Sequence, residues 1–218
     1  VALFLDSARI EEVKKAVELG ILSGVTTNPT IMAKMVGRPR EIIRQICAIA
    51  PGHVFYQLTA KTPEERRLEG REFSALAPGK VVLKIPATTE NMALMARLSK
   101  DIPCAATAVY SGHQAIVACE AGAHYVIPYV NRATRFLGDG CKLVAEIAAV
   151  LKASGKHVEI LAASIKSADE ATQAVLAGAH HLTLPLDILL SLGSHPLSDE
   201  AIEEFSRAGG QAHSEVAS

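Results

Sequence analysis

The chain has no tryptophan, and its four tyrosines and five phenylalanines make up only 4% of 218 residues. That scarcity removes the base-stacking platforms of single-strand nucleic-acid binders and the aromatic belts of membrane proteins. It also lacks an excess of either charge: 22 Lys and Arg face 23 Asp and Glu, for a formal net charge of −1. A nucleic-acid partner leaves a basic stripe, so no such partner is expected. No apolar run approaches the roughly 18 residues of a membrane-spanning helix, so no membrane partner is expected either. The opening residues, Val1 to Asp6, carry no basic segment and meet a carboxylate too early for a signal peptide. Cys47, Cys104, Cys119 and Cys141 stand far apart without a C-x-x-C pair. Zinc and redox motifs fail on that spacing, and reduced, mostly buried thiols are expected. Neither a G-x-G-x-x-G turn nor a P-loop occurs, and no Gly-, Pro- or Ser-rich linker divides the chain. Together these absences lead us to expect a soluble, cytoplasmic protein of one domain, residues 1–218.

What is present is a rhythm. Apolar residues make up 49% of the chain and mean hydropathy is +0.22, ample material for a core. Short apolar runs at Ala2–Asp6, Gly24–Asn28, His53–Thr59, Val81–Ala87, Pro103–Tyr110, His124–Val130, Val158–Ser164 and His181–Leu186 read as strands buried on both faces. Helical stretches with charged outer positions lie between them, at Glu11–Leu19, Arg38–Ala48, Pro63–Ala75, Glu90–Ser99, Gln114–Ala121, Cys141–Ala153 and Asp169–Leu176. Thr62 with Glu65, and Ser167 with Glu170, have capping-box form. An open doubly wound sheet usually has fewer strands and a glycine-rich phosphate turn, so a closed (β/α)₈ TIM barrel is the better reading. After the last strand come Asp187–Leu192 and an additional C-terminal helix from about residue 198 to Arg207, with a loose end over Ala208–Ser218.

Barrel chemistry lies at the C-terminal ends of the strands, where residues two apart share a face. On that alternation Asp6, Asn28, Gln57, Lys84, Thr107, Tyr129 and Ser164 form a polar ring over a dry interior. Lys84 is the most telling, because it sits among aliphatics in Val81–Ala87. Desolvation there strips its proton, and a neutral amine attacks carbonyls. The plain alternative is a lysine that snorkels to the rim. For Asp6 the alternative is a cap on the following helix, and for Asn28-Pro29 a simple turn. His180 and His181 are adjacent and face opposite ways, so no metal site is expected. Glu64, Glu65, Arg66 and Arg67 read as a solvated helix face. Arg132 and Lys166, just beyond strand ends and beside Ser164, suit an anionic group such as phosphate.

These residues carry a resemblance. Gly24-Val-Thr-Thr-Asn-Pro-Thr30 resembles the first transaldolase signature, and Val82-Leu-Lys-Ile-Pro-Ala-Thr88 resembles the Schiff-base lysine segment of that family. Thr107–Tyr110, Pro128–Arg132, Leu161–Lys166 and Leu184–Asp187 match in order and spacing, so the resemblance runs to about residue 205. It is nearest the short subfamily that contains fructose-6-phosphate aldolase and the small transaldolases. The resemblance implies class I chemistry without metal or cofactor, since an iminium on Lys84 serves as the electron sink. It implies that Asp6 takes the C4 hydroxyl proton, and that Gln57 and Thr107 place a proton-shuttling water beside Tyr129. Thr27 and Asn28 fall among the donor-binding positions. Arg132, Ser164 and Lys166 fall at the phosphate-binding positions, and Asn131 is expected among the other substrate-binding residues.

Transaldolases of this family typically carry Glu at the place of Gln57 and Phe at that of Tyr129. Both residues here are of the aldolase type, and a phenol beside the enamine favours its protonation and ketone release. The resemblance therefore implies an aldolase acting on fructose 6-phosphate, dihydroxyacetone and glyceraldehyde 3-phosphate. A transaldolase and a catalytically silent sugar-phosphate-binding barrel are the alternatives. Asn91 stands where the family commonly has Gly, away from the expected chemistry. Ile202 and Phe205 share a face of the C-terminal helix. In the short subfamily that helix packs on a neighbouring subunit, which implies self-association in pentameric rings that pair into decamers.

Overall fold

A computed structural model describes the backbone of residues 1–216 and the side chains of residues 1–208. Eight parallel strands, β1 (Ala2–Asp6), β2 (Leu22–Thr26), β3 (Val54–Gln57), β4 (Val81–Pro86), β5 (Cys104–Val109), β6 (Tyr125–Pro128), β7 (Glu159–Ala162) and β8 (His181–Leu184), close into a barrel in chain order. Parallel strands need crossovers, and each is followed by one or more helices: α1 (Ile10–Glu18), α2 (Pro29–Met32), α3 (Pro39–Ile49), α4 (Pro63–Ser74), α5 (Thr89–Leu98), α6 (Gly112–Glu120), α7 (Val130–Leu137), α8 (Gly140–Ser154), α9 (Ala168–Leu176), α10 (Leu186–Ser191) and α11 (Pro196–Val216). The expected (β/α)₈ barrel with an additional C-terminal helix is the observed architecture.

Strand pleating divides the core in two. One face of each strand meets the helices, in a shell that includes Leu5, Val25, Val54, Leu83, Ile85, Val126 and Ile160. The other face fills the barrel with Phe4, Phe55, Val82, Ala105, Tyr125, Ile127, Leu161 and Ala163. Phe55 meets Phe4 and Tyr125 edge-on, at 5.5 and 5.1 Å between ring centres. Gly24 makes room for this filling, because a Cβ there would collide with the His53 carbonyl and the Phe4 ring.

Short polar caps carry the chain from strand to helix. Asn28, Thr62, Thr88, Ser111, Asp139 and Ser167 each accept a backbone N–H from the first turn of the helix they precede. Thr62 and Glu65 form the full capping box. Ser167 and Glu170 do not, since the Glu170 carboxylate takes the Lys166 amide and the Asn131 side chain instead. All four cysteines are free, three of them buried.

Several boundaries differ from the sequence reading. β2 ends at Thr26, two residues early, because Asn28 is already capping α2. β6 ends at Pro128, and Val130, expected to close that strand, opens α7, which the sequence reading missed. The helix expected to stop at Arg207 continues to Val216, so most of the segment expected to be loose is helical. Ala217 and Ser218 lie outside the described residues. Among the described residues no helix is long and apolar enough to cross a membrane.

Candidate active site

Lys84 lies on the inner face of β4, one pleat above Val82, and is only 2% exposed. Snorkelling is thereby excluded. Its Nζ donates to the Thr27 carbonyl at 3.0 Å. Burial holds its pKa below the ordinary lysine value, and the negative charge of Asp6 opposes that shift only in part. The barrel filling packed on the same strand face desolvates the amine.

Asp6 ends β1 and does not cap α1, whose N-cap is Arg9. Its Oδ1 instead accepts from Thr26 Oγ1 at 2.8 Å. Thr107 Oγ1 donates to the Tyr129 hydroxyl at 3.2 Å, which leaves the phenolic proton free to point elsewhere. Burial raises the Tyr129 pKa, with Thr107 and Arg132 pulling weakly the other way, so the phenol keeps its proton well into alkaline solution. Gln57 pairs in register with Lys84, and its buried Oε1 has no partner, as has the Tyr110 hydroxyl. A buried acceptor without a partner costs free energy, and this one lies on the strand beside the buried amine of Lys84.

The remaining expected residues divide. Thr27 is spent on the scaffold: its hydroxyl donates to the Phe55 carbonyl at 2.8 Å and its own carbonyl holds Lys84. Asn28 Oδ1 accepts the Ile31 amide at 3.0 Å, so the turn reading of Asn28-Pro29 is part of the truth. Asn131 donates its side-chain amide to Glu170 at 3.2 Å. Ser164 is not in phase with the ring. The inner face of β7 carries Leu161 and Ala163, and Ser164 follows the strand with φ of 61°. Its carbonyl receives the Asn131 amide, which ties the start of α7 to the end of β7. Arg132 and Lys166 are exposed on that rim, and neither makes an ion pair among the described residues.

One expectation about the neighbouring residues needs correcting. Arg66 does not belong to a solvated face: it donates to the carbonyls of Ala60 and Lys61 and to Asn91 Oδ1. Asn91 is buried and donates to the Pro86 carbonyl at 2.9 Å, two residues past Lys84, so it braces the lysine strand. The sequence reading also missed Thr26 and Thr183, both buried and joined to Asp6 by hydroxyl contacts. The signal was available, because Thr183 is the polar residue in apolar Leu182–Leu184, the same pattern that exposed the other ring members.

A buried lysine of lowered pKa, a carboxylate and a protonated phenol at the C-terminal mouth of one barrel set the context for comparison with known proteins. The sequence profile described as Transaldolase/Fructose-6-phosphate aldolase matches residues 3–217. The chain belongs to the transaldolase/fructose-6-phosphate aldolase family. It is 40% identical over 206 residues to a probable transaldolase of Dehalococcoides mccartyi, covering 93% of this chain and 95% of that one. It is also 40% identical to probable transaldolase 1 of Bacillus cereus, covering 93% and 94%. Among solved structures, thiamine phosphate pyrophosphorylase from Pyrococcus furiosus superposes with a TM-score of 0.59 over 84% of this chain and 85% of its own, at 14% identity. That likeness concerns the barrel alone. For this member of the transaldolase/fructose-6-phosphate aldolase family, the contacts described above give the shared fold a polar C-terminal mouth around Lys84.

Proposed function

We propose that the protein is a class I aldolase that cleaves and forms fructose 6-phosphate. The observation that carries this reading is Lys84, buried with its pKa lowered, facing a mouth where Tyr129 keeps its proton. The neutral amine adds to the ketone carbon, and with one proton taken up from solvent the carbinolamine oxygen leaves as water, giving an iminium on Lys84. Asp6 accepts the proton of the C4 hydroxyl, the C3–C4 bond breaks, and its electron pair enters the iminium to give an enamine. Glyceraldehyde 3-phosphate leaves. A water held by Gln57 and Thr107 carries a proton from Tyr129 to the enamine carbon, hydrolysis frees dihydroxyacetone and Lys84, and the proton taken by Asp6 returns through water to Tyr129. Asn28 holds donor hydroxyls with the amide nitrogen that its capping bond leaves free. Arg132 and Lys166, beside Ser164, receive the phosphate.

A transaldolase is the second reading, supported by curated relatives named as probable transaldolases. In that case the enamine waits for an acceptor aldehyde such as erythrose 4-phosphate. Assay with and without acceptor separates the two, since strict acceptor dependence overturns the lyase. Borohydride reduction with dihydroxyacetone, followed by peptide mass mapping, tests both, and the absence of an adduct on Lys84 ends both.

We also propose that copies of the chain associate through α11. Ile202 and Phe205 are 61% and 72% exposed on it, so the helix does not bury this face on its own barrel. Rings of five are the expected assembly. Removing the residues after Pro196 should lower the sedimentation coefficient, and a full chain sedimenting as a 23.1 kDa monomer at micromolar concentration would refute the association.

A further inference from the structure

β8 contributes a buried hydroxyl to a site otherwise built from its neighbours. Thr183 is 1% exposed, lies between Leu182 and Leu184, and pairs in register with Phe4. A hydroxyl this deep needs a partner, and its partner is Thr26 Oγ1 at 2.5 Å. Thr26, fully buried on β2, contacts Asp6 Oδ1 at 2.8 Å. β2 and β8 flank β1 on either side. The two threonines therefore meet inside the barrel, below the carboxylate.

The direction of this chain follows from proton counting. An ionised carboxylate only accepts, so the single proton of Thr26 points at Asp6. Thr183 must then donate to Thr26. The order Thr183 to Thr26 to Asp6 has no alternative while Asp6 is ionised, and each bond polarises the next. The chain engages Oδ1 and leaves Oδ2 for a substrate hydroxyl. A carboxylate on the last residue of a strand otherwise turns freely about its terminal torsions.

We propose that Thr183 is a positioning residue, which acts through Thr26 to hold Asp6 in the orientation that accepts the substrate hydroxyl proton. The inference rests on the Schiff-base reading above. Asp6 serves bond cleavage and not adduct formation, so the effect falls on one step only. In Thr183→Val, cleavage turnover should fall roughly ten- to hundredfold, as misplaced reacting groups do. Borohydride trapping of dihydroxyacetone on Lys84 should proceed at the wild-type rate. Thr183→Ser keeps the donor and should restore turnover, and in an Asp6→Asn background the Thr183→Val change should add nothing. Undiminished turnover in Thr183→Val overturns the proposal. So does a matching loss of trapping, an equal defect in Thr183→Ser, or a full further loss in the Asp6→Asn background. If the valine variant does not fold, Thr183→Ala against Thr183→Ser supplies the same contrast. Failure of the wild type to form any adduct refutes the functional reading itself, and the proposal with it.

Discussion

The two mouths of the barrel are both polar, and they differ in what their polar groups are doing. At the N-terminal mouth the groups answer one another. His53 Nδ1 contacts the Tyr125 hydroxyl at 3.0 Å, His181 Nε2 meets Glu159 at 3.0 Å, and His181 Nδ1 accepts the Ala2 amide. At the C-terminal mouth Lys84 Nζ has one carbonyl partner, and Gln57 Oε1 and the Tyr110 hydroxyl have no partner. Burial shifts titrations at both ends: it lowers His53 and raises Tyr125 below, as it lowers Lys84 and raises Tyr129 above. A perturbed titration is therefore not enough to mark a site. Unused hydrogen-bonding capacity beside it separates the C-terminal mouth, the proposed site, from the plug.

The largest test of this contrast is Lys84→Met. Turnover should drop to the uncatalysed level, while the melting temperature rises. The sign follows from linkage. The folded pKa of Lys84 lies below its unfolded value, so between the two the unfolded chain binds more protons and wild-type stability climbs with pH. At neutral pH the methionine variant escapes that penalty, and calorimetry should show a gain of about 2–4 °C for each kcal/mol relieved. Raising the pH toward 10 should narrow the gap. A less stable variant at pH 7 would show that the lysine is at ease in the barrel.

Next comes Tyr129→Phe. Loss of a proton donor costs on the order of 10²–10⁴-fold, so ketone release should fall by that factor while transfer to an acceptor aldehyde persists. Parallel release and transfer assays give the ratio. In the wild type, kcat/KM should rise with pH through a titration below the ordinary lysine value of 10.5, as Lys84 loses its proton. It should fall only where Tyr129 ionises, above the ordinary 10.0. The phenylalanine variant should lose that alkaline limb.

Asn91→Ala sharpens the comparison from the end of the lysine strand. It removes the clamp on the Pro86 carbonyl and leaves Arg66 short of a partner. Breaking these bonds should cost about 1–3 kcal/mol in urea unfolding, with a smaller loss of turnover than Tyr129→Phe. The smallest effect belongs to the opposite mouth. Glu159→Gln weakens a half-exposed pair with His181, so the stability cost should be about 1 kcal/mol or less, with kcat/KM unchanged. A large kinetic effect there would undo the division of labour between the two ends.

How much could be read in advance depends on the range of the forces involved. Eight apolar runs, each short enough for a strand buried on both sides, led to the barrel. Lys84 stood out because a charge among Val81, Val82, Leu83 and Ile85 is costly wherever the strand is buried. The Thr62 cap was legible because its contacts lie within one helical turn. Ser167 looked the same and was only half right, since Asn131, distant in sequence, brings its amide to Glu170. Ser164 was placed in the ring by giving β7 the wrong phase, since Leu161 and Ala163 are the residues that face inward and Ser164 follows them with a left-handed φ.

Local pattern alone thus determined the order of elements, the dry interior and the lysine that cannot stay comfortably charged, because burial and alternation are properties of neighbouring residues. Closure of the barrel decided the rest. It brings Thr183 to Thr26 across 157 positions of sequence, ties Thr107 to Tyr129, and leaves Gln57 without a partner beside Lys84. A hydrogen bond depends on position to within a few tenths of an ångström, and only the closed ring of strands holds distant residues that closely.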